Sequence, residues 1–145
     1  MKIEIKRWGD NDLYTEGQLF ANGKMAIPYT VEFHDNKVET GTYKACLKKC
    51  GEKFFISYVD NDGNERTLIA GNSFVSSREE LAVVVGDRLI PGAVYKGRDH
   101  LARLINRLAK AVKAGKNITL TFSEDEMQPT NIIRHWAGLK NHARG

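Results

Sequence analysis

The sequence predicts a mainly β domain with one long helix, arranged as a small antiparallel sheet or open barrel. Three observations carry that expectation. Short runs of strand-forming residues recur at even spacing, separated by turns such as Asn22-Gly23 and Asp62-Gly63. Only one internal stretch, Asp99–Ala114, combines helical periodicity with both end signals. The run Leu81–Val85 is apolar at every position, as in a strand covered on both faces.

Taken in order, Lys2–Trp8 sets Ile3, Ile5 and Arg7 against Lys2, Glu4 and Lys6, which is the two-residue period of a strand. The polar turn GDND leads into a strand over Leu13–Ala21, and Asn22-Gly23 turns it into a second over Met25–Phe33. Pro28 lacks an N–H, so it suits an edge or a bulge. After the turn HDNK come strands at Thr42–Leu47, Phe54–Val59 and Arg66–Ile69, with KKCGEK and NDGN as their turns. Gly71-Asn72 opens a polar loop through Glu80, Leu81–Val85 follows, Gly86-Asp87 ends it, and Ile90-Pro91-Gly92 begins another loop. In the helix Asp99 is placed to cap the first turn and Gly115 to take the left-handed position after the last. Leu101, Leu104, Ile105, Leu108 and Val112 form its apolar stripe, and Arg103, Arg107, Lys110 and Lys113 its polar surface. Ile118, Leu120 and Phe122 alternate in a closing strand, completing a single β-rich domain over residues 1–122 with its packed helix at 99–114. Residues 123–145 read as a short C-terminal helical tail, with a helix start at Ser123–Glu126, a stop at Pro129 and a second start at Thr130.

With 145 residues, 41% of them hydrophobic, the chain is long enough to bury a core without staples. Two cysteines, Cys46 and Cys50, do not make a disulfide framework, and His34 upstream of them gives no second ligand pair for zinc. No metal and no cofactor is expected. No apolar run is long enough for a membrane span and MKIEIKRWG has no signal-peptide core, so a cytoplasmic protein is the expectation. A net charge of +4 is ordinary for solubility, so nucleic acid is not an expected partner, and a basic helix face (Arg103, Arg107, Lys110) is read as a solvated surface. His100, His135 and His142 are read as surface histidines, with no carboxylate at a revealing spacing.

The segments GQLFANGK (Gly17–Lys24), TGTYKA (Thr40–Ala45), IAGN (Ile69–Asn72), the Val85-Gly86 pair and the helix–strand ending follow an order that resembles a family of small phage and prophage proteins of largely uncharacterised function. That family looks related to the L,D-transpeptidases of peptidoglycan cross-linking, and the resemblance covers about three-quarters of the chain. It implies an L,D-transpeptidase-like scaffold. In the family the loop reads His-x-Gly-Asn and, further on, Gly-Cys-Ile. The cysteine thiolate attacks an acyl carbonyl, the histidine helps to deprotonate it, and backbone amides hold the oxyanion. Here those motifs stand as Ile69-Ala70-Gly71-Asn72 and Leu81-Ala82-Val83, and no His or Cys occurs from Thr67 to Leu89. The resemblance therefore implies a scaffold without its reaction.

Because the family places its site in this loop, Asn72, Ser73 and Arg78, together with Arg98, are expected to line a pocket for a small anionic ligand. The leading functional expectation is a catalytically degenerate phage or prophage protein that binds such a ligand or a host protein. Its concrete form is sequestration of a nucleotide signal of host defence. The tail with Trp136 is expected to support self-association. A cell-wall enzyme with relocated groups, Cys46 among them, and a virion structural component are the alternatives.

Overall fold

The computed structural model describes residues 1–10, 12–71, 82–90 and 92–124. Its strands are β1 (Lys2–Asp10), β2 (Tyr14–Ala21), β3 (Lys24–Phe33), β4 (Gly41–Cys50), β5 (Lys53–Val59), β6 (Glu65–Ala70), β7 (Ala82–Ile90), β8 (Ala93–Tyr95) and β9 (Ile118–Glu124). The helix α1 covers Gly97–Lys113, and a single 3-10 turn, His34–Asn36, follows β3.

The strands form a ring in the order β3-β2-β1-β9-β4-β5-β6-β7, closed by an antiparallel β7–β3 pairing through Tyr29↔Gly86, Thr30↔Val85 and Val31↔Val84. The result is a closed eight-stranded barrel, with β8 added outside the ring against β7. The expected open, all-antiparallel arrangement is corrected on both counts. Closure removes the sheet's free edges, and two pairs, β1–β9 and β6–β7, run parallel. Sequence period cannot reveal strand direction, because side chains alternate every second residue in either sense.

Alternation fills the barrel. Ile3, Ile5, Leu19, Ile27, Ile56, Leu68, Val83, Val85, Ile118, Leu120 and Phe122 belong to one buried cluster, with Tyr43 and Tyr58 beside Phe122. Asn22 and Gly23, both with positive φ, make the β2–β3 hairpin turn. Pro28 lies at a bulge, where the register slips between Gly17↔Thr30 and Leu19↔Ile27. Ala82–Gly86 is buried throughout, as its apolar run predicts, but β7 does not stop at Gly86-Asp87 and runs on to Ile90 before returning as β8. KKCGEK is likewise mostly strand, and Cys46 and Cys50 are exposed on β4.

Helix α1 lies across one end of the barrel, in contact with β3, β4 and β9 as well as β6 and β7 on the other side of the ring. Leu104 and Leu108 are buried in the barrel cluster, Leu101 and Ile105 are partly buried against it, and Val112 is exposed. Its start differs from the expected one. Lys96, left-handed at φ 56, occupies the cap position without a side-chain bond, and Asp99 lies inside the first turn. There its charge still favours the positive end of the helix. The C-terminus behaves as read: Gly115 has φ +77, and the Gly115 and Lys116 N–H groups donate to Val112 and Ala111 carbonyls in a Schellman arrangement.

β9 continues through Ser123 and Glu124, where the sequence suggested a helix start. The remainder of the expected helical tail, residues 125–145, lies outside the described residues. Among the described residues no helix is long and apolar enough to cross a membrane.

Candidate functional site

Of the residues expected to line a pocket, Asn72, Ser73 and Arg78 lie outside the described residues. Arg98 is exposed in the first turn of α1, next to Gly97, whose N–H donates to the Gly71 carbonyl at 3.4 Å. The two motif positions are described. Ile69 pairs with Val84 and Thr67 with Ala82 on the parallel strands β6 and β7, so residues 69 and 82 share one face as diagonal neighbours. The family resemblance alone would set a base and a nucleophile at these two positions. Ile69 instead packs with Val31, Val84, Val94, Tyr14 and Tyr29 in an apolar cluster on the outside of the barrel.

A pairing the sequence did not suggest lies nearby. His100 Nε2 is 3.0 Å from Asp87 Oδ1, and Arg103 Nη2 is 3.1 Å from His100 Nδ1. Arginine is always a donor, so Nδ1 accepts and Nε2–H donates to the carboxylate. Both ring nitrogens are engaged, and the imidazole is held as a tether between β7 and α1. The partner is thirteen residues away on another element, a separation without a motif signature. His34 also bonds a carboxylate, that of Asp10. The exposed Cys46 and Cys50 lie on β4, opposite Ser57 and Lys53 of β5.

The end of the barrel away from α1 opens into a cleft of about 770 Å³ lined by Arg7, Lys37, Val38, Glu39, Thr40, Phe122, Ser123 and Glu124. At its base Arg7 donates through Nε and Nη2 to the two Glu32 oxygens at 2.9 and 2.8 Å, and its guanidinium lies 4.8 Å from the Phe122 ring centre. Burial disfavours the Arg7 charge, but the Glu32 carboxylate more than offsets this and holds its pKa above the usual value. Lys37 is committed to Asp10 at 2.9 Å. The cations of this mouth are thus already partnered by carboxylates.

Two carboxylates brace the loops around the mouth. Asp60 accepts from Arg66 Nε at 2.6 Å and from the Asp62 and Asn64 amides, and Arg66 also donates to the Asn36 carbonyl. Asp10 accepts from Thr15, His34 and Lys37. Partial burial raises the Asp10 pKa, but the three donors outweigh it and hold the group well below the carboxylate range; for Asp60 the Arg66 bond is the main depressing cause. Depressed folded-state values mean that the unfolded chain binds more protons in acid. The stabilisation is therefore full above the unfolded value of about 4 and is lost as pH falls below it. Urea midpoints are expected to fall between pH 5 and pH 2, and Asp60→Asn to flatten that decline. An unchanged slope in the variant would remove Asp60 from the account.

At the opposite end, between α1 and the β2–β3 turn, a second cleft of about 460 Å³ is lined by Met1, Asn22, Arg107, Lys110, Ala111, Ala114 and Lys116. It contains the side-chain cations of Arg107, Lys110 and Lys116 and no carboxylate side chain, and the Met1 ammonium donates to the Asn117 carbonyl at 2.6 Å; among the described residues none of the three side chains is paired with a carboxylate. Asn22 Oδ1 accepts from the Lys2 N–H at 3.0 Å, which leaves its amide NH₂ as a donor. The sequence assigned Arg107 and Lys110 to a solvated helix face; it did not show that Asn22 and Lys116 would be folded against them. Among the described residues no three His, Cys, Asp or Glu side chains group where they could hold a metal.

No family model matches the chain, and neither a curated protein nor a solved structure is significantly similar to it.

Proposed function

We propose that this chain is a non-enzymatic binding protein for a small anion, built on a degenerate L,D-transpeptidase-like scaffold of phage or prophage type and acting in the host cytoplasm. The observation that carries the reading is the cleft in which Arg107, Lys110, Lys116 and Asn22 come together without a carboxylate side chain in its lining. Three side-chain cations without a carboxylate partner among the described residues favour an anion and disfavour a cation or a wholly apolar ligand. The loss of chemistry is supported by apolar Ile69 and Ala82 at the two motif positions, and by His100 having both nitrogens engaged. A nucleotide signal of host defence is the biological ligand this reading favours. Self-association through the C-terminal segment belongs to the same proposal.

The test is calorimetric titration of the full chain with inorganic phosphate and with nucleotides at low salt. Binding is expected to weaken at least tenfold in Arg107→Gln/Lys116→Gln and to fade as salt screens the cleft. Arg98→Gln is expected to leave it unchanged; loss in that variant instead would return the site to the loop after β6. Silence across the panel would discard the proposal. Muropeptides are expected to remain intact on incubation, and turnover abolished by Cys46→Ala would replace this reading with an enzymatic one.

A further inference from the structure

We infer that the ligand of the Arg107 cleft is an amphipathic phosphate, one whose anionic group is joined to an uncharged body such as a nucleoside. This rests on the anion-binding reading above and deepens it by assigning the surfaces of the cleft to the two halves of such a ligand.

The first argument is size. A space of about 460 Å³ lies within the range of small-molecule pockets, roughly 300–1,000 Å³, and exceeds what one inorganic phosphate fills. The second is how the lining divides. Arg107, Lys110, Ala111 and Ala114 fall at i, i+3, i+4 and i+7, so they form one continuous face at the end of α1, with Ala114 as its C-terminal cap. The two cations occupy its earlier part, and the two alanines give a small apolar surface beside them, with Met1, which packs against the barrel cluster, also lining the cleft. Alanine at 111 and 114 is what leaves room for a body there, since a longer side chain at either position would project into the space. Lys116 lines the cleft from beyond the helix end, and Asn22 lines it from the β2–β3 turn with its Oδ1 taken by the Lys2 N–H.

The electrostatics agree despite the position near a helix C-terminus. The last carbonyls carry partial negative charge of about half a unit. Those of Ala111 and Val112 are occupied by the Lys116 and Gly115 N–H groups, and three full positive charges stand around the opening. A phosphate is better matched than a carboxylate because it offers oxygens enough to reach cations on two sides of the cleft at once.

The full chain is to be titrated separately with adenosine monophosphate, inorganic phosphate and adenosine at low salt. The nucleotide is expected to bind about tenfold tighter than phosphate, and adenosine alone far more weakly than either. Ala111→Leu, a good helix former at a half-buried position, is expected to abolish the nucleotide's advantage while leaving phosphate affinity intact; Ala114→Leu, at an exposed position, repeats the test if the first variant folds poorly. Equal affinities for nucleotide and phosphate, or leucine variants that do not distinguish them, would overturn the amphipathic ligand and leave the anion site standing. Adenosine binding as tightly as its phosphate, or no binding of any probe, would overturn both.

Discussion

Replacing Gly97 with alanine is expected to destabilise the protein by about 4 kcal/mol or more, enough to prevent many domains from folding. The reason is space. Gly97 opens α1 at the point where the chain presses against β6 and β7, and a β-carbon there would lie far within van der Waals contact of the Val85 carbonyl oxygen and 2.7 Å from the Gly71 nitrogen. Both obstacles are backbone, and they are held by the Gly71 N–H bond to Val85 at 2.7 Å. Two further glycines belong to the same junction: a β-carbon on Gly71 would sit 2.5 Å from Val94 Cγ2, and one on Gly86 would sit 2.5 Å from the Tyr95 carbonyl. The three let β6, the bend of β7 and the β8–α1 connection meet backbone to backbone, which seats the helix over the barrel end. Gly115→Ala is the control. That position has φ +77 but nothing within 4 Å, so only the left-handed backbone is strained, at about 1 kcal/mol. Urea unfolding of the two variants separates crowding from conformation, and a Gly97→Ala cost no larger than the Gly115→Ala cost would contradict the close junction.

That junction shows where the sequence was legible and where it was not. Gly71 and Gly86 stood out as breaks in strand periodicity, and Gly71 does end β6. Gly86 does not end β7, because there the absence of a side chain serves a close approach within a continuing strand. A glycine admits either use, and only the packing partner decides between them. Strand positions, the Asn22-Gly23 hairpin and the buried apolar run were readable because each depends on residues within a few positions of one another. Barrel closure was not, because it depends on β3 meeting β7 more than fifty residues away and on the parallel pairing of β1 with β9.

The candidate site divides in the same way. The absence of His and Cys between Thr67 and Leu89 could be read from the sequence alone. The basic cleft could not, since Arg107 and Lys110 gain significance only when Asn22, 85 positions before Arg107, folds against them. The Asp87–His100 tether has the same character. Charge on a helix face becomes a site only through what another element places opposite it.

Arg7→Leu is expected to cost about 3–5 kcal/mol, because it strands the Glu32 carboxylate inside the barrel. Strand alternation assigned Arg7 to the same face as Ile3 and Ile5, which for an isolated arginine would be prohibitive. It is tolerated because Glu32, the other charged residue turned inward at this level, meets it through two hydrogen bonds, with side-chain exposures of only 3% and 4%. Gly17 gives the pair its room, since a β-carbon there would lie 3.3 Å from Arg7 Cα and 2.9 Å from Thr30 Oγ1. Desolvating both ions roughly cancels their attraction, so the penalty should arise from breaking the pair and not from lacking it. The double variant Arg7→Leu/Glu32→Leu is accordingly expected to recover most or all of the loss, and a double-mutant cycle in urea with the two single variants measures the difference. The cleft at α1 lies at the opposite end of β1 and should bind its anion unchanged in the double variant. If removing both charges were instead as damaging as removing one, the ion pair would be an active source of stability and the cancellation of desolvation against attraction would be refuted.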